Sequence, residues 1–308
     1  FRQRASISIV IRYVMGNIPP LDSLSLPAVL ADLVMERRGL ILIVGATGSG
    51  KSTTLASMLD HRNTLCSGHI LTIEDPIEYL FRHKKSLVNQ REIGMDTLGW
   101  ENALKNAMRQ APDCILIGEI RDRETMQAAI AYAQTGHLCL GTLHANNSYH
   151  ALNRAINFFP LDSRGALYMD LSVSLKAIVS QRLVKKRDGK LTPAVEVLLN
   201  SYHVQELIEA GDVPALKEAM EQSLAPGSQT FEQDLFRLYR NDVITLQEAL
   251  LNADSPTNLS WLINNHEATG NLATEAKPHD AVFDLSSTNP GGPSYKEFSL
   301  SLDDAEQQ

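Results

Sequence analysis

Cysteine is scarce in this 308-residue chain, which has only Cys66, Cys114 and Cys139. The three show no metal-ligand spacing. Cys114 and Cys139 sit in apolar runs, so the cysteines read as buried free thiols in a reducing compartment. Long apolar runs are missing too. Runs such as Leu40 to Val44 fall far short of the ~20 residues a membrane span needs, and no signal peptide is visible. Basic charge is in deficit, with 28 Lys and Arg against 36 Asp and Glu and a net of −8. That removes any broad signal for nucleic acid or an anionic membrane. Aromatics make up only 6%, with no aromatic–basic stripe for stacking bases. No internal repeat is present. The negative charge is uneven. From Glu267 to the end there are 8 acidic and 2 basic residues, a net of −6, which leaves 28 acidic and 26 basic residues before it. The body is near neutral and the tail is acidic.

What remains is an ordinary globular composition, 44% hydrophobic, long enough for one large domain and a smaller one. The chain opens on Phe1 in mid-strand and reads as a piece lacking its natural start. Residues 1–14 alternate, with Ile7, Ile9, Ile11 and Tyr13 apolar and Arg2, Arg4, Ser6, Ser8 and Arg12 polar. A period of two predicts a half-buried strand or strand pair with a basic outer face. The segment "MGNIPPLDSLSLP" is a linker, and a helix over about 27–36 follows it.

From Gly39 strands and helices alternate. Strands are predicted at 40–44, 69–73, 114–118 and 137–145. Helices are predicted from near Gly50, over 100–110, over 123–136 with Asp122 as N-cap and Gly136 as stop, and over 148–159 up to Pro160. This alternation argues for an α/β domain with a mainly parallel sheet. Beyond residue 182, "RLVKKRDGKLTPAVEVLL" reads as a hairpin, with Asp188-Gly189 supplying left-handed turn conformations. Thr230 with Gln233, and Thr245 with Glu248, fit capping boxes, and Ser255-Pro256 fits a helix start. Residues 201–265 therefore read as a small helical subdomain. Residues 266–308, rich in Pro, Gly, Ser, Thr, Asn and acid, read as a mostly disordered tail.

The chemistry is concentrated at "GATGSGKS", residues 45–52, a complete G-x-x-x-x-G-K-[ST] loop between an apolar strand and a helix. Small residues leave backbone N–H groups free to wrap phosphates, and the helix N-terminus adds partial positive charge. Gly45, Ala46, Thr47, Gly48, Ser49, Gly50, Lys51, Ser52 and Thr53 are the candidate nucleotide-binding residues. Lys51 is placed to reach the β- and γ-phosphates and Ser52 to ligate Mg²⁺. Carboxylates are needed at the ends of neighbouring strands. The candidates are Glu74, Asp75 and Glu78 in "TIEDPIEY", and Glu119 in "PDCILIGEIRD". Each could instead cap a helix or pair with a surface Lys. In "CILIG" a glycine, Gly118, stands where many nucleotide hydrolases have an aspartate, so the carboxylate duty has to fall elsewhere. His144 ends the strand next in sequence and suits a γ-phosphate sensor. His137, at the other end of that strand, reads as a supporting or interface group of the nucleotide site.

In order, "GATGSGKST", "TIEDPIEY", "NQREIGMDTLGWENAL", "PDCILIGEIRD" and "TGHLCLGTLHANN" resemble the secretion-type ATPase superfamily that drives type II secretion and type IV pili. The resemblance covers residues 1 to about 265 and is strongest to the pilus retraction, or twitching motility, ATPases of the PilT/PilU group. It implies a RecA-like phosphate-loop core over residues 27–200, preceded by the end of a PAS-like domain and linker over 1–26. It implies that Glu78 is the general base, that Glu119 organises Mg²⁺ and water, and that His137 and His144 form the family's histidine pair. It also implies ATP and Mg²⁺ as ligands and a cytoplasmic hexamer at the inner-membrane face. The implied partners are a related retraction ATPase and the pilus platform protein. N-terminal arginines approach the phosphates in that family, and Arg2, Arg4 and Arg12 are the candidates here, although their spacing equally fits a solvated strand face. The stretch "HVQELIEAG" lacks two arginines of the retraction helix, and the tail is an extension. Both features lean toward the PilU type.

The leading expectation is a hexameric Mg²⁺-dependent ATPase powering pilus retraction, with a pilus-assembly or type II secretion ATPase as the alternative. Two other classes stay open: a regulatory partner that docks on a related ATPase, and a nucleic-acid motor. The tail's alternating stretch 298–302 fits either a solvated end or a strand added to a partner.

Overall fold

The computed structural model describes residues 2–10, 14, 16–223 and 225–275. By its contacts the chain divides into residues 1–265 and 266–308. The chain begins with a two-residue hairpin, β1 (Arg2–Gln3) and β2 (Ser6–Ile7). Its turn residues Arg4 and Ala5 both have positive φ, at 46° and 61°, as a tight two-residue hairpin requires. The expected strand pair is therefore present, but it is not half-buried. Ile7 and Ile9 are 74% and 77% exposed, because no described layer packs on the hairpin.

The main body carries α1 (Val29–Met35), β3 (Gly39–Val44), α2 (Lys51–Leu65), β4 (Gly68–Glu74) and β5 (Ser86–Glu92). It continues with α3 (Trp100–Ala107), β6 (Cys114–Ile117), α4 (Arg123–Gln134), β7 (Leu138–Leu143), α5 (Ser148–Asn157) and α6 (Arg164–Ser174). The hairpin β8 (Leu175–Lys185) and β9 (Leu191–Leu199) completes the sheet. The strand order is β5-β4-β6-β7-β3-β8-β9. Every pairing is parallel except β8 with β9. This is the α/β, mainly parallel sheet expected from the alternation. Its C-terminal strand ends deliver the loops that follow β3, β4, β6 and β7 to one edge.

Strand β3 shows why the sheet is central. Leu40, Leu42 and Val44 point into one core, shared with α3 to α6. Ile41 and Ile43 point into the other, under α1 and α2. All five are fully buried, and each contributes about 1.5–3 kcal/mol by leaving water. Arg62 of α2 donates to the Val34 and Glu36 carbonyls and ties α2 to α1. Burial pushes the Cys114 thiol up to about 12 and raises Cys139 as well, which fits inert buried thiols.

Two elements escape a period-based reading. β5 is an edge strand with alternating exposure, and its polar residues read as loop. α6 lies between a proline turn and a strand and carries a weakly amphipathic sequence. The hairpin turn also differs from expectation. Gly189 has φ 84°, but Asp188 is not left-handed. Its Oδ1 instead accepts from the Lys190 N–H at 3.0 Å.

Helices α7 (Tyr202–Ala210), α8 (Leu216–Glu221), α9 (Phe231–Arg240), α10 (Leu246–Asn252) and α11 (Pro256–Glu275) follow. They do not pack as one group. Val204 and Ile208 of α7 and Leu216 and Met220 of α8 join the sheet's own core. The last three helices form a separate cluster around Phe231, Leu235 and Leu259, closed by Val184 and Ala194 of the hairpin. The Thr230–Gln233 capping box is complete. At Thr245 only half the box forms, because Glu248 Oε1 accepts from the Lys185 N–H instead. Helix α11 runs past the expected limit of 265 to Glu275, since "HEATGNLATE" keeps strong helix formers after Gly270. The remaining tail, with the disorder and added-strand expectations, lies outside the described residues.

Candidate active site

The loop 45–50 joins β3 to the N-terminus of α2 and opens into a cleft of about 640 Å³. Of the candidate residues, Thr47, Gly48, Gly50, Lys51, Ser52 and Thr53 line this cleft, together with Glu74, Asp75, Glu78, Glu119 and His144. Gly45, Ala46 and Ser49 complete the loop behind them. Lys51 Nζ donates to the carbonyls of Gly45 at 2.9 Å and Ala46 at 2.8 Å. Burial pulls its pKa below the usual lysine value, while the negative charges of Glu119 and Glu78 oppose that shift. The ammonium therefore already feels both proposed catalytic carboxylates.

Glu119 follows β6. Its Oε2 accepts from Arg121 Nε at 2.7 Å, and its Oε1 lies 3.3 Å from His144 Nε2. Arg121 also reaches Asp75 at 3.6 Å. The strand ends after β4, β6 and β7 thus meet in one polar cluster. Gly118 is explained by the same packing. A Cβ there would lie 3.1 Å from both Glu74 Cα and the Ile73 carbonyl. The backbone of β4 occupies the space an aspartate would use, and the carboxylate moves one residue on.

Glu78 stands on the exposed rim of the cleft. Its loop is fastened by β5, the strand that sequence periodicity misses. Glu92 Oε2 accepts from the Ile77 N–H, Gln90 Oε1 accepts from the Phe81 N–H, and Gln90 Nε2 donates to the Tyr79 carbonyl. From α2, Thr53 Oγ1 meets the Tyr79 hydroxyl at 2.7 Å, and Asn63 bonds Arg82 and Lys84. Glu74 is buried and structural. It accepts from Thr72 and Gln90, and burial raises its pKa.

His137 is not brought to the cleft. It precedes β7 at the opposite sheet edge, with Nδ1 near Thr135 Oγ1 and the Tyr132 carbonyl and its ring edge-on to Tyr132. Its grouping with the nucleotide-binding residues is corrected for this chain's own cleft, because six strand residues separate it from His144. Arg2 and Arg4 do not line the cleft either, and Arg12 lies outside the described residues. Sequence reasoning gave no role to Arg121 and Tyr79, although both stand inside quoted motifs. It gave none to Gln90 either, which stands near the start of the quoted stretch "NQREIGMDTLGWENAL".

Among the described residues, no group of three or more His, Cys, Asp or Glu side chains could cage a metal. Ser52 and Glu119 supply one hydroxyl and one carboxylate. Such an all-oxygen, incomplete set fits Mg²⁺, which completes its shell with water and substrate phosphates.

A phosphate loop at the end of a buried parallel strand, opposed by carboxylates from neighbouring strands, defines a nucleotide-hydrolysing enzyme. The comparisons agree. Residues 21–224 match the family model described as Type II/IV secretion system protein. The chain is 53% identical over 264 residues to the type IV pilus ATPase PilU of Pseudomonas aeruginosa, covering 85% of this chain and 69% of that protein. It is 39% identical over 258 residues to the PilT ATPase of the same species, covering 84% of this chain and 75% of that protein. A crystal structure of the pilus retraction motor PilT with bound ADP superposes with a TM-score of 0.79 at 42% identity, covering 84% of this chain and 74% of that one. The chain belongs to the Type II/IV secretion system protein family, and within it to the PilT/PilU group of pilus ATPases.

Proposed function

We propose that this ATPase powers type IV pilus retraction as a Mg²⁺-dependent homo-hexamer, in the accessory manner of a PilU-type motor. The observation that carries the reading is the single cleft in which Lys51 faces Glu78 and Glu119. The higher identity to PilU than to PilT supports the subtype. In this reading the γ-phosphate draws Lys51 Nζ off the Gly45 and Ala46 carbonyls. Backbone N–H groups of the loop hold the phosphate oxygens. Glu78 orients the attacking water and takes its proton, and His144 registers the γ-phosphate beside Glu119. Mg²⁺, held through Ser52 and Glu119, neutralises charge on the phosphates when bound. Glu78 is exposed on the rim, which leaves that side open to a neighbouring subunit and its arginines. The docking partners are a related retraction ATPase and the membrane platform of the pilus, reached from the cytoplasm. Among the described residues no helix is long and apolar enough to cross a membrane.

The test is steady-state phosphate release by purified Lys51→Ala and Glu78→Gln assemblies. Loss of a general base lowers turnover by about 10²–10⁴-fold. Wild-type turnover in either variant refutes the site. In cells, deletion should leave surface pili in place while weakening retraction under load. Loss of surface pili would instead point to assembly.

A further inference from the structure

The phosphate loop has a second support that no motif announces. We infer that Gln181, on β8, is the positioning residue that holds the loop in its phosphate-ready shape. The inference rests on the nucleotide reading of the cleft given above. Gln181 is 3% exposed and uses both ends of its side-chain amide. Its Nε2 donates to the Ser49 carbonyl at 2.8 Å, and its Oε1 accepts from Thr54 Oγ1 at 2.7 Å. One side chain therefore pins the last turn of the loop to the first turn of α2. The loop is also shaped around it. A Cβ on Gly50 would lie 2.7 Å from Gln181 Nε2, and a Cβ on Gly45 would lie 2.5 Å from the Gln181 carbonyl. Both glycines have positive φ, 90° and 154°, and both approach Gln181 more closely than any side chain would allow.

The chemistry explains why an amide is needed. The N–H groups of a phosphate loop must point into the cleft, so its carbonyls point away and need donors behind. Gln181 supplies one at Ser49, and Lys51 serves Gly45 and Ala46. When Lys51 swings to a phosphate its two bonds are lost and that of Gln181 remains. Gln181 is the side-chain support that persists through the nucleotide cycle, beside the loop's own bond from the Ser49 N–H to the Ala46 carbonyl. It does not line the cleft, so its effect falls on nucleotide affinity and loop order.

Gln181→Met keeps the length of the side chain and removes both hydrogen bonds. With a fluorescent ADP analogue as the probe, its dissociation constant should rise about tenfold, the effect of two ordinary hydrogen bonds. Hydrogen exchange should speed up at amides 47–54 without a matching change elsewhere on the sheet. Lys51→Ala run alongside tests the site itself. If Lys51→Ala abolishes binding while Gln181→Met binds and exchanges as wild type does, the site stands and the role of Gln181 is overturned. If Lys51→Ala binds normally, the nucleotide reading fails first. Should Gln181→Met not fold, Thr54→Val removes one of the two contacts with Gln181 in place. A rise of about threefold then supports the inference, and an unchanged constant overturns it.

Discussion

Restoring an aspartate at position 118 would test the steric account of the active-site edge. Gly118 donates its N–H to the Ile73 carbonyl at 2.8 Å, which fixes β6 against β4 at that point. A Cβ would meet the Ile73 carbonyl and Glu74 Cα at 3.1 Å, and Glu74 Cβ at 3.6 Å. Carbon contacts are comfortable at about 3.5–4.0 Å, so the strands must part by several tenths of an ångström. Overpacking of this kind costs about 1–3 kcal/mol. At about 2–4 °C per kcal/mol for a chain of this size, the midpoint should fall by roughly 2–12 °C. Gly118→Ala isolates the Cβ and should sit at the low end, with Gly118→Asp lower. Turnover should fall in both, because β4 leads to Glu78 and β6 to Glu119, and the two carboxylates would separate. Thermal unfolding followed by circular dichroism, together with phosphate release, measures both effects. A Gly118→Asp protein that melts and turns over like wild type would refute the steric reasoning.

Two further outcomes follow from the buried network beside the site. Glu196 Oε1 accepts from the Ser148 N–H, Ser148 Oγ and Ser180 Oγ, and burial holds its pKa above the usual 4.5. The folded state thus binds the proton more tightly than the unfolded one. That stabilisation is fully present below about pH 4.5 and is lost as pH rises through the folded value. Glu196→Gln keeps the accepting oxygen and removes the charge, so its melting point should gain on wild type as pH rises from 4 to 8; a loss at pH 8 would contradict this. Arg182 pairs with Asp254, donates to the Asn252 and Asn146 carbonyls, and lies 3.9 Å over the Phe231 ring. Arg182→Lys keeps the charge but loses the planar fork, and should cost about 1–3 kcal/mol in urea unfolding. An unshifted midpoint would show that the network does not hold the C-terminal helices.

How far the sequence carried depends on whether a signal is local. The loop 45–52, the buried strands and the Asp122 cap could be read because each depends on neighbours in the chain. β5 could not, since an edge strand alternates like a polar loop, and yet it positions Glu78. Gln181 could not, because its partners are 127 and 132 residues away. The separation of His137 and His144 was legible, since seven positions along an extended apolar run put them at opposite ends of one strand. Only the family resemblance joined them to one nucleotide site.

The strand order also governs how this protein comes into being. β3 is the first strand of the sheet to be synthesised, but its two neighbours are β7 and β8. At roughly 5–20 residues per second of synthesis, the interval from Val44 to Leu143 leaves β3 unpaired for about 5–20 s. Through that interval "LILIV" is an uncharged, β-prone apolar segment without a partner, the kind of sequence that associates with its own copies. The phosphate loop also lacks its Gln181 support until β8 has emerged. The nascent chain must therefore be sheltered from other copies for longer than a locally paired fold of equal length, and nucleotide can help stabilise it only once β8 has been made.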